Sequence, residues 1–155
     1  EPGGWLAHRT AGRRLRHGLL HLRAGRWEKA FHAFRDAHRS LPDHPRVGFG
    51  LGASLYYLSH FEEARRWLLG ALDRFEEPFL TDAEALLGRI SLELGETADA
   101  VMRLRRAIAR GAAEPENYYA LGLAFLRRGR ATLARRAFEK CASPEFIRER
   151  LGKLS

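Results

Sequence analysis

Residues 48–71 read GFGLGASLYYLSHFEEARRWLLGA, and this stretch decides the fold. Ala64, Leu68 and Ala71 stand at i, i+4 and i+7, the spacing of one apolar face of an α-helix. Gly52 lies one helix earlier, where a residue without a side chain lets two helix backbones approach closely. The stretch therefore predicts a helical hairpin with closely packed helices.

Five positions of this hairpin recur along the whole chain at a spacing of 34 or 36 residues. The recurring columns are Gly18, Gly52, Gly88 and Gly122; Ala30, Ala64, Ala100 and Ala134; Phe34, Leu68, Leu104 and Phe138; Ala37, Ala71, Ala107 and Cys141; and Gly25, Ser59, Gly95 and Gly129. A fixed period of this length is the signature of a repeat architecture. The two-residue excess falls at 75–80, before a capping-box pattern at 81–84 that predicts a helix start.

These columns resemble the tetratricopeptide repeat, a 34-residue unit with the pattern Trp-x-x-Leu-Gly-x-x-Tyr, Ala-x-x-x-Phe, Pro. The Leu-Gly pairs at 51–52, 87–88 and 121–122, the Ala-x-x-x-Phe spacings at 30–34 and 134–138, and Pro42 match it. The resemblance implies an all-α fold, an α-solenoid that forms a right-handed superhelix of four helical hairpins plus a C-terminal capping helix.

The period divides the chain into an N-terminal extension or linker and four repeats. The expected bounds are 1–10 for the extension, then 11–44, 45–78, 81–114 and 115–148 for the repeats, with the capping helix near 144–154. Ile147, Leu151 and Leu154 form the apolar stripe of that last helix, which is either a cap or the first half of a further repeat.

Composition excludes several classes of protein. The chain has 155 residues, 45% of them apolar and 30% charged, as expected of one soluble globular or repeat domain. No apolar run reaches the roughly 20 residues of a membrane-spanning helix, and no secretory signal is evident. Because the chain begins at Glu1 without a Met, we expect a fragment of a longer protein. A cytoplasmic location is favoured, with the periplasm or a larger membrane-linked protein left open.

No arrangement of nucleophile, base and acid predicts catalysis, so we expect neither an enzyme nor a cofactor. His17 and His21 have the i, i+4 spacing of metal ligands but no third partner, which favours packing over metal binding. Cys141 is the single cysteine, so it forms no intramolecular disulfide or cysteine-based zinc cluster. The glycines at 48, 50 and 52 lack the preceding strand of a dinucleotide-binding loop. Gly48 and Gly50 suggest a mobile helix start or room for a ligand.

The resemblance places a binding groove on the concave surface, which is lined by the first helix of each repeat. Mapping that side onto this chain gives the candidate site Leu15, Leu19, Arg23, Arg46, Phe49, Ala53, Tyr56, Tyr57, Arg89, Tyr119, Leu123 and Arg127. Its aromatic middle and charged edges suit a peptide or helix with apolar anchors. The family's carboxylate clamp is not supported, because Leu15, Leu19 and Gly50 occupy the corresponding places. In the alternative interpretation, Leu19, Leu22 and Leu123 merely close the core between repeats.

Two further functions remain open at the level of sequence. One is self-association through the same surface or the end helix, which would give a homo-oligomer. The other is an adaptor for an acidic partner or nucleic acid through arginines of the second helices, in a chain of net charge +8. The cations concerned are Arg103, Arg106, Arg110, Arg135, Arg136 and Lys140. Few aromatic residues interleave with them, which disfavours nucleic acid.

Overall fold

The computed structural model describes residues 2–141, except for the side chains of residues 2, 3 and 5. Within that range all regular structure is helical. The helices are α1 (Pro2–Arg23), α2 (Trp27–His38), α3 (Pro45–Tyr57), α4 (Phe61–Ala71), a 3₁₀ turn (Leu72–Arg74), α5 (Phe79–Glu93), α6 (Thr97–Ala109), α7 (Pro115–Arg127) and α8 (Ala131–Cys141). The expected capping helix near 144–154 lies outside the described residues.

The described residues form two compact units, which divide between Ala83 and Glu84. In the first unit α1 packs on α2, α2 on α3 and α3 on α4, and α1 also contacts α3. In the second unit α6 packs on α7 and α7 on α8. Antiparallel neighbours joined by short turns are the expected arrangement of helical hairpins. The all-α prediction is confirmed, whereas the expected repeat bounds stay predictions.

The turn between the two helices of each hairpin has the same geometry four times. Gly25, Ser59, Gly95 and Gly129 all have a positive φ, of 72°, 64°, 81° and 70°. The next residue donates its backbone N–H to the carbonyl five residues earlier, as in Arg26 to His21 at 2.9 Å and His60 to Leu55 at 2.8 Å. This pattern is the Schellman motif, in which a left-handed residue ends the helix. Ser59 therefore adopts a conformation that a side chain disfavours.

The sequence predicts some helix starts correctly and misplaces one. Pro45 and Pro115 stand in the first turns of α3 and α7, where the missing N–H costs nothing. The capping box at 81–84 is wrong, because α5 begins at Phe79. Thr81 instead donates its backbone N–H and its hydroxyl to the Glu77 carboxylate, at 3.3 and 2.9 Å.

The core of the first unit is organised around Phe34, which is fully buried. A Cβ at Gly18 of α1 would lie 2.8 Å from the Phe34 ring, and a Cβ at Gly50 of α3 would overlap the same ring. Gly48 faces Ala71, whose Cβ would be 2.9 Å away from a Cβ at position 48. Gly50 is therefore a packing residue, and the interpretation of room for a ligand beside it is wrong. Gly48 packs against Ala71 but also lines a cavity, so room for a ligand beside Gly48 stays a prediction, as does a mobile helix start.

The second unit repeats this contact twice. A Cβ at Gly88 would lie 2.8 Å from Cγ of Leu104, and one at Gly122 would lie 2.5 Å from the Phe138 ring. The large residue of each second helix thus fills the space that the glycine of its first helix leaves open. None of the described helices combines the length and apolarity needed to cross a membrane.

Candidate peptide-binding surfaces

An aromatic cluster lies where α3 ends and α2 begins. Tyr57 stacks on Trp27 with a centroid separation of 4.0 Å and an interplanar angle of 10°. Tyr56 meets Tyr57 edge-on at 5.1 Å and lies 5.8 Å from Phe61. We call Trp27, Tyr56, Tyr57 and Phe61 the aromatic cluster. Tyr57 is 41% exposed, so the cluster presents an aromatic surface to solvent.

Charge borders this aromatic cluster on one side. A cavity of about 390 Å³ is lined by Trp27 and Leu58 together with Arg26, Glu28 and Lys29. Arg26 donates from Nε to Nδ1 of His21 at 3.0 Å, and Lys29 is exposed. The cavity therefore combines an aromatic wall with a rim on which cations outnumber the single acid.

Trp27 was absent from the candidate site derived from sequence. It belongs to the column Trp27, Phe61, Thr97 and Ala131, which holds an aromatic residue only in the first two repeats. That column could have identified Trp27 from sequence, because each of its residues stands two positions after the left-handed residue of a turn, where the second helix begins beside the end of the first. A search confined to first helices could not include it.

Phe49, the other candidate anchor on α3, occupies a separate aromatic group. Its ring meets Phe75 at 6.1 Å and Phe79 at 5.5 Å, both edge-on, and the Arg46 guanidinium lies 5.3 Å from the Phe79 ring centre. Phe49 is half-buried and Phe75 buried. Tyr56 stands seven positions after Phe49, about 10 Å along a helix, so the two aromatic groups are distinct.

Several aliphatic members of the candidate site pack inside their own unit. Leu15 and Ala53 are buried, and Leu19 is half-buried against the core around Phe34. Leu123 packs in the same way on the core formed by residues of α5, α6, α7 and α8. The alternative interpretation, that these leucines close the core, agrees with their burial. Arg23 is exposed on α1.

In the second unit the candidate residues are spread along α5 and α7. Tyr119 is 38% exposed and lies 5.8 Å from the Phe138 ring. Arg127 donates from Nη1 to the carbonyl of Leu92 at 2.7 Å, which links the end of α7 to the end of α5. Arg89 is half-buried. Tyr119 is thus the aromatic candidate that this unit exposes among its described residues.

The arginines of the second helices are not equivalent. Arg103 donates from Nε to Asp99 at 2.8 Å and from Nη1 to Glu84 at 3.0 Å, and Asp99 also accepts from the Ser91 hydroxyl at 2.6 Å. Burial alone would lower the pKa of Arg103, but hydrogen bonds and the charges of Asp99 and Glu84 raise it above its ordinary value. Arg103 is therefore committed to an internal network, whereas Arg106 and Arg110 are exposed.

The histidine pair does not pack as one unit. His17 is exposed and His21 is half-buried, so only His21 fits the packing expectation. Partial desolvation and then the charges of Arg26, Lys29 and His17 lower the pKa of His21. Among residues 2–141 no three His, Cys, Asp or Glu side chains come together as metal ligands.

Comparison with known proteins establishes the family. The tetratricopeptide repeat model matches residues 15–79 and 81–144, so the chain belongs to the tetratricopeptide repeat family. Members of this family are protein–protein interaction scaffolds, and this chain shares that general role. No curated protein matches the sequence.

Solved structures share the fold. A MamA structure, residue 41 to the end, from Desulfovibrio magneticus RS-1 is 22% identical over 85% of this chain and 73% of that chain, with a TM-score of 0.69. Another MamA structure is 25% identical over 90% and 76%, with a TM-score of 0.67. PilF of Pseudomonas aeruginosa is 20% identical over 86% and 60%, with a TM-score of 0.71. The α-solenoid class is thereby confirmed.

Proposed function

We propose that this protein is a noncatalytic scaffold that binds a peptide or helix with apolar anchors, and that Tyr57 in the aromatic cluster holds the principal anchor. The observation that carries the proposal is the exposed Tyr57 ring stacked on Trp27. Exposed aromatic surface of this kind commonly marks a protein-binding site.

The stacked pair has the physical properties of a binding hot spot. Tyrosine and tryptophan offer large contact areas with few rotatable bonds, so little conformational entropy is lost when a partner docks. The stack on Trp27 already fixes the orientation of the Tyr57 ring. Arg26 and Lys29 beside Trp27 favour a partner that carries an acidic residue next to its apolar anchor.

The second unit offers a smaller surface of the same kind. Tyr119 exposes its ring on α7, while the hydrogen bond from Arg127 to Leu92 holds the end of that helix. We propose Tyr119 as the anchor point of this unit. Arg127 then acts by positioning the helix.

Recruitment of an acidic partner through the arginines of α6 is less well supported. Three of the candidate cations belong to this part of the chain. Arg103 is paired with Asp99 and Glu84, whereas Arg106 and Arg110 are exposed. Solvated arginines of this kind give weak, salt-sensitive attraction.

Self-association is a second candidate. Leu126 and Leu133 in the second unit are 54% and 40% exposed, and Leu20 in the first is 58% exposed. These leucines are apolar surface that a contact between copies of the chain would bury. Sedimentation over a range of protein concentrations separates this role from peptide binding.

The test begins with peptides selected by display against the parent protein. The affinity of a selected peptide is then measured for Tyr57→Ala and for the control Leu69→Ala. Leu69 is 45% exposed on α4 and lies outside the aromatic cluster. Removing a buried aromatic anchor costs about 2 kcal/mol, so Tyr57→Ala should weaken binding about 30-fold, whereas Leu69→Ala should bind like the parent.

Substitution of the exposed arginines tests the competing interpretation, in which the partner binds the arginine surface. The double variant Arg106→Ala, Arg110→Ala should bind the selected peptide with nearly parental affinity at near-physiological salt. If that variant abolishes binding while folded Tyr57→Ala retains parental affinity, the proposal fails and the arginine surface is the binding site.

A further inference from the structure

A second cavity lies in the first unit between α2 and α4, away from the aromatic cluster. Its volume is about 430 Å³, within the range of small-molecule sites. His38 and Trp67 form one wall, with their rings edge-on at 4.9 Å, and Pro42 adds an apolar surface. Gly70 also lines the cavity and leaves it room, because nothing lies within 4 Å of where its Cβ would be.

His38 in this wall carries a buried nitrogen that makes no hydrogen bond within the described part of the chain. Nδ1 of His38 is buried and finds no hydrogen-bond partner among residues 2–141. Buried polar atoms in folded proteins are nearly always paired, so an unpaired one needs an explanation. His38 lines the cavity, but its Nδ1 is closed off from it, so a ligand reaches that atom only if the imidazole ring turns.

The charges at the cavity favour an anion. Arg66 and Arg74 line it together with one acid, Glu63. Arg74 donates to the carbonyl of Gly70 at 3.1 Å, which orients its guanidinium. Asp43 also approaches Arg74, but its Oδ1 lies 3.6 Å from Nη1, which is longer than a hydrogen bond, and its 85% exposed side chain does not line the cavity.

His44 at the same cavity adds no positive charge near neutral pH. Its Nδ1 accepts a hydrogen bond from the backbone N–H of Arg46 at 3.2 Å. Burial and then the charge of Arg46 lower the pKa of its imidazole. The attraction for an anion therefore comes from the two arginines.

We propose that the cavity between α2 and α4 binds an aromatic carboxylate. The aromatic ring packs on Trp67 and Pro42 beside the His38 ring, and the carboxylate pairs with Arg66 and Arg74. Arginine is suited to this role because its planar fork of N–H groups matches a carboxylate. This site is separate from the aromatic cluster and does not depend on the proposed function.

The probe is 3-phenylpropionate, titrated into the ¹⁵N-labelled full chain while the Trp67 indole and His38 ring signals are followed by NMR. A ligand of this size should bind with a dissociation constant on the order of 1 to 10 mM. The neutral amide, 3-phenylpropionamide, should bind at least about 5-fold more weakly because it cannot pair with two arginines. N-acetylphenylalanine is the second arm: tighter binding of this probe assigns the site to a peptide chain end, and weaker binding assigns it to a small free acid.

Two variants and a control complete the experiment. Gly70→Leu should fill the cavity and abolish the shifts while keeping the fold, because its Cβ has open space and leucine favours a helix over glycine. Arg66→Gln should weaken 3-phenylpropionate binding at least about 3-fold without changing amide binding. Arg136→Gln, an exposed cation on α8, is the control and should bind like the parent.

The proposal is overturned if 3-phenylpropionate leaves the Trp67 and His38 signals unshifted at concentrations well above this range. It is equally overturned if folded Gly70→Leu binds like the parent, or if acid and amide bind alike.

Discussion

Replacing Gly50 with alanine adds a single methyl group at the centre of the first unit. In the interior of a free helix this change is favourable by about 1 kcal/mol, because alanine is the better helix former. In this protein the added Cβ would overlap the ring of Phe34. Phe34 is fully buried and also lies against Gly18, so its ring has little room to move.

The magnitude follows from these opposing effects. Carbon atoms in ordinary contact lie about 3.5 to 4.0 Å apart, so the ring or the helix must shift by about 1 Å or more. Overpacking of this kind costs roughly 1 to 3 kcal/mol. We therefore expect Gly50→Ala to lower the free energy of unfolding by about 1 to 3 kcal/mol, despite its better helix propensity.

Gly12→Ala is the matched control, because Gly12 lies within α1 and a Cβ there would meet nothing within 4 Å. It should raise the free energy of unfolding by up to about 1 kcal/mol. Both variants are compared with the parent by urea denaturation followed by circular dichroism. Adding Phe34→Leu should cost less in the Gly50→Ala background than in the parent, since the methyl group then occupies freed space. The reasoning is refuted if Gly50→Ala is as stable as Gly12→Ala, or if the two changes are additive.

Three further predictions concern single residues. Ser59 holds a φ of 64°, which strains a residue with a side chain, so Ser59→Gly should raise the free energy of unfolding by about 1 kcal/mol in thermal denaturation. An unchanged or lower free energy of unfolding would contradict this strain. His44→Ala should cost about 1 kcal/mol at pH 8, since the Nδ1 cap on α3 is lost. The folded-state pKa of His44 is depressed below its ordinary 6.5, so this contribution is present above pH 6.5 and is lost as the pH falls through the folded pKa; a cost equal at pH 8 and pH 5 would contradict it. Arg103→Ala should cost about 2 to 3 kcal/mol in urea denaturation because it leaves Glu84, whose side chain is 9% exposed, without its partner. Arg106→Ala should stay within about 0.5 kcal/mol of the parent, and equal losses for the two arginines would show that the network contributes nothing.

The fold was predictable because the repeat places equivalent residues in register. The glycine and large-residue columns recur together, and the structure pairs Gly52 with Leu68 and Gly122 with Phe138 as the period implies. The contact of Gly50 with Phe34 was not predictable in the same way. It joins α3 to the helix before it, and the way one hairpin stacks on the preceding hairpin is set by side-chain shape rather than by the period.

The candidate site was less predictable from sequence, because its chemistry depends on contacts between helices. Tyr57 was identified on its own helix, but its partner Trp27 lies 30 residues earlier on a second helix. Arg103 looked like an exposed cation, but it pairs with two acids. Asp99 lies four residues earlier on α6, whereas Glu84 lies on α5 and could not be identified from α6 alone. Helical periodicity shows which residues share a face and leaves open what lies opposite that face.

The central claim is that a partner docks on the aromatic cluster, and NMR mapping with a display-selected peptide tests it most directly. The Trp27 indole and the Tyr57 ring should shift first and saturate together at the dissociation constant measured for binding. Leu69 on α4 and Arg106 on α6 should keep their signals unchanged. Saturable shifts at Arg106 and Arg110, with Trp27 and Tyr57 unmoved, would contradict the claim.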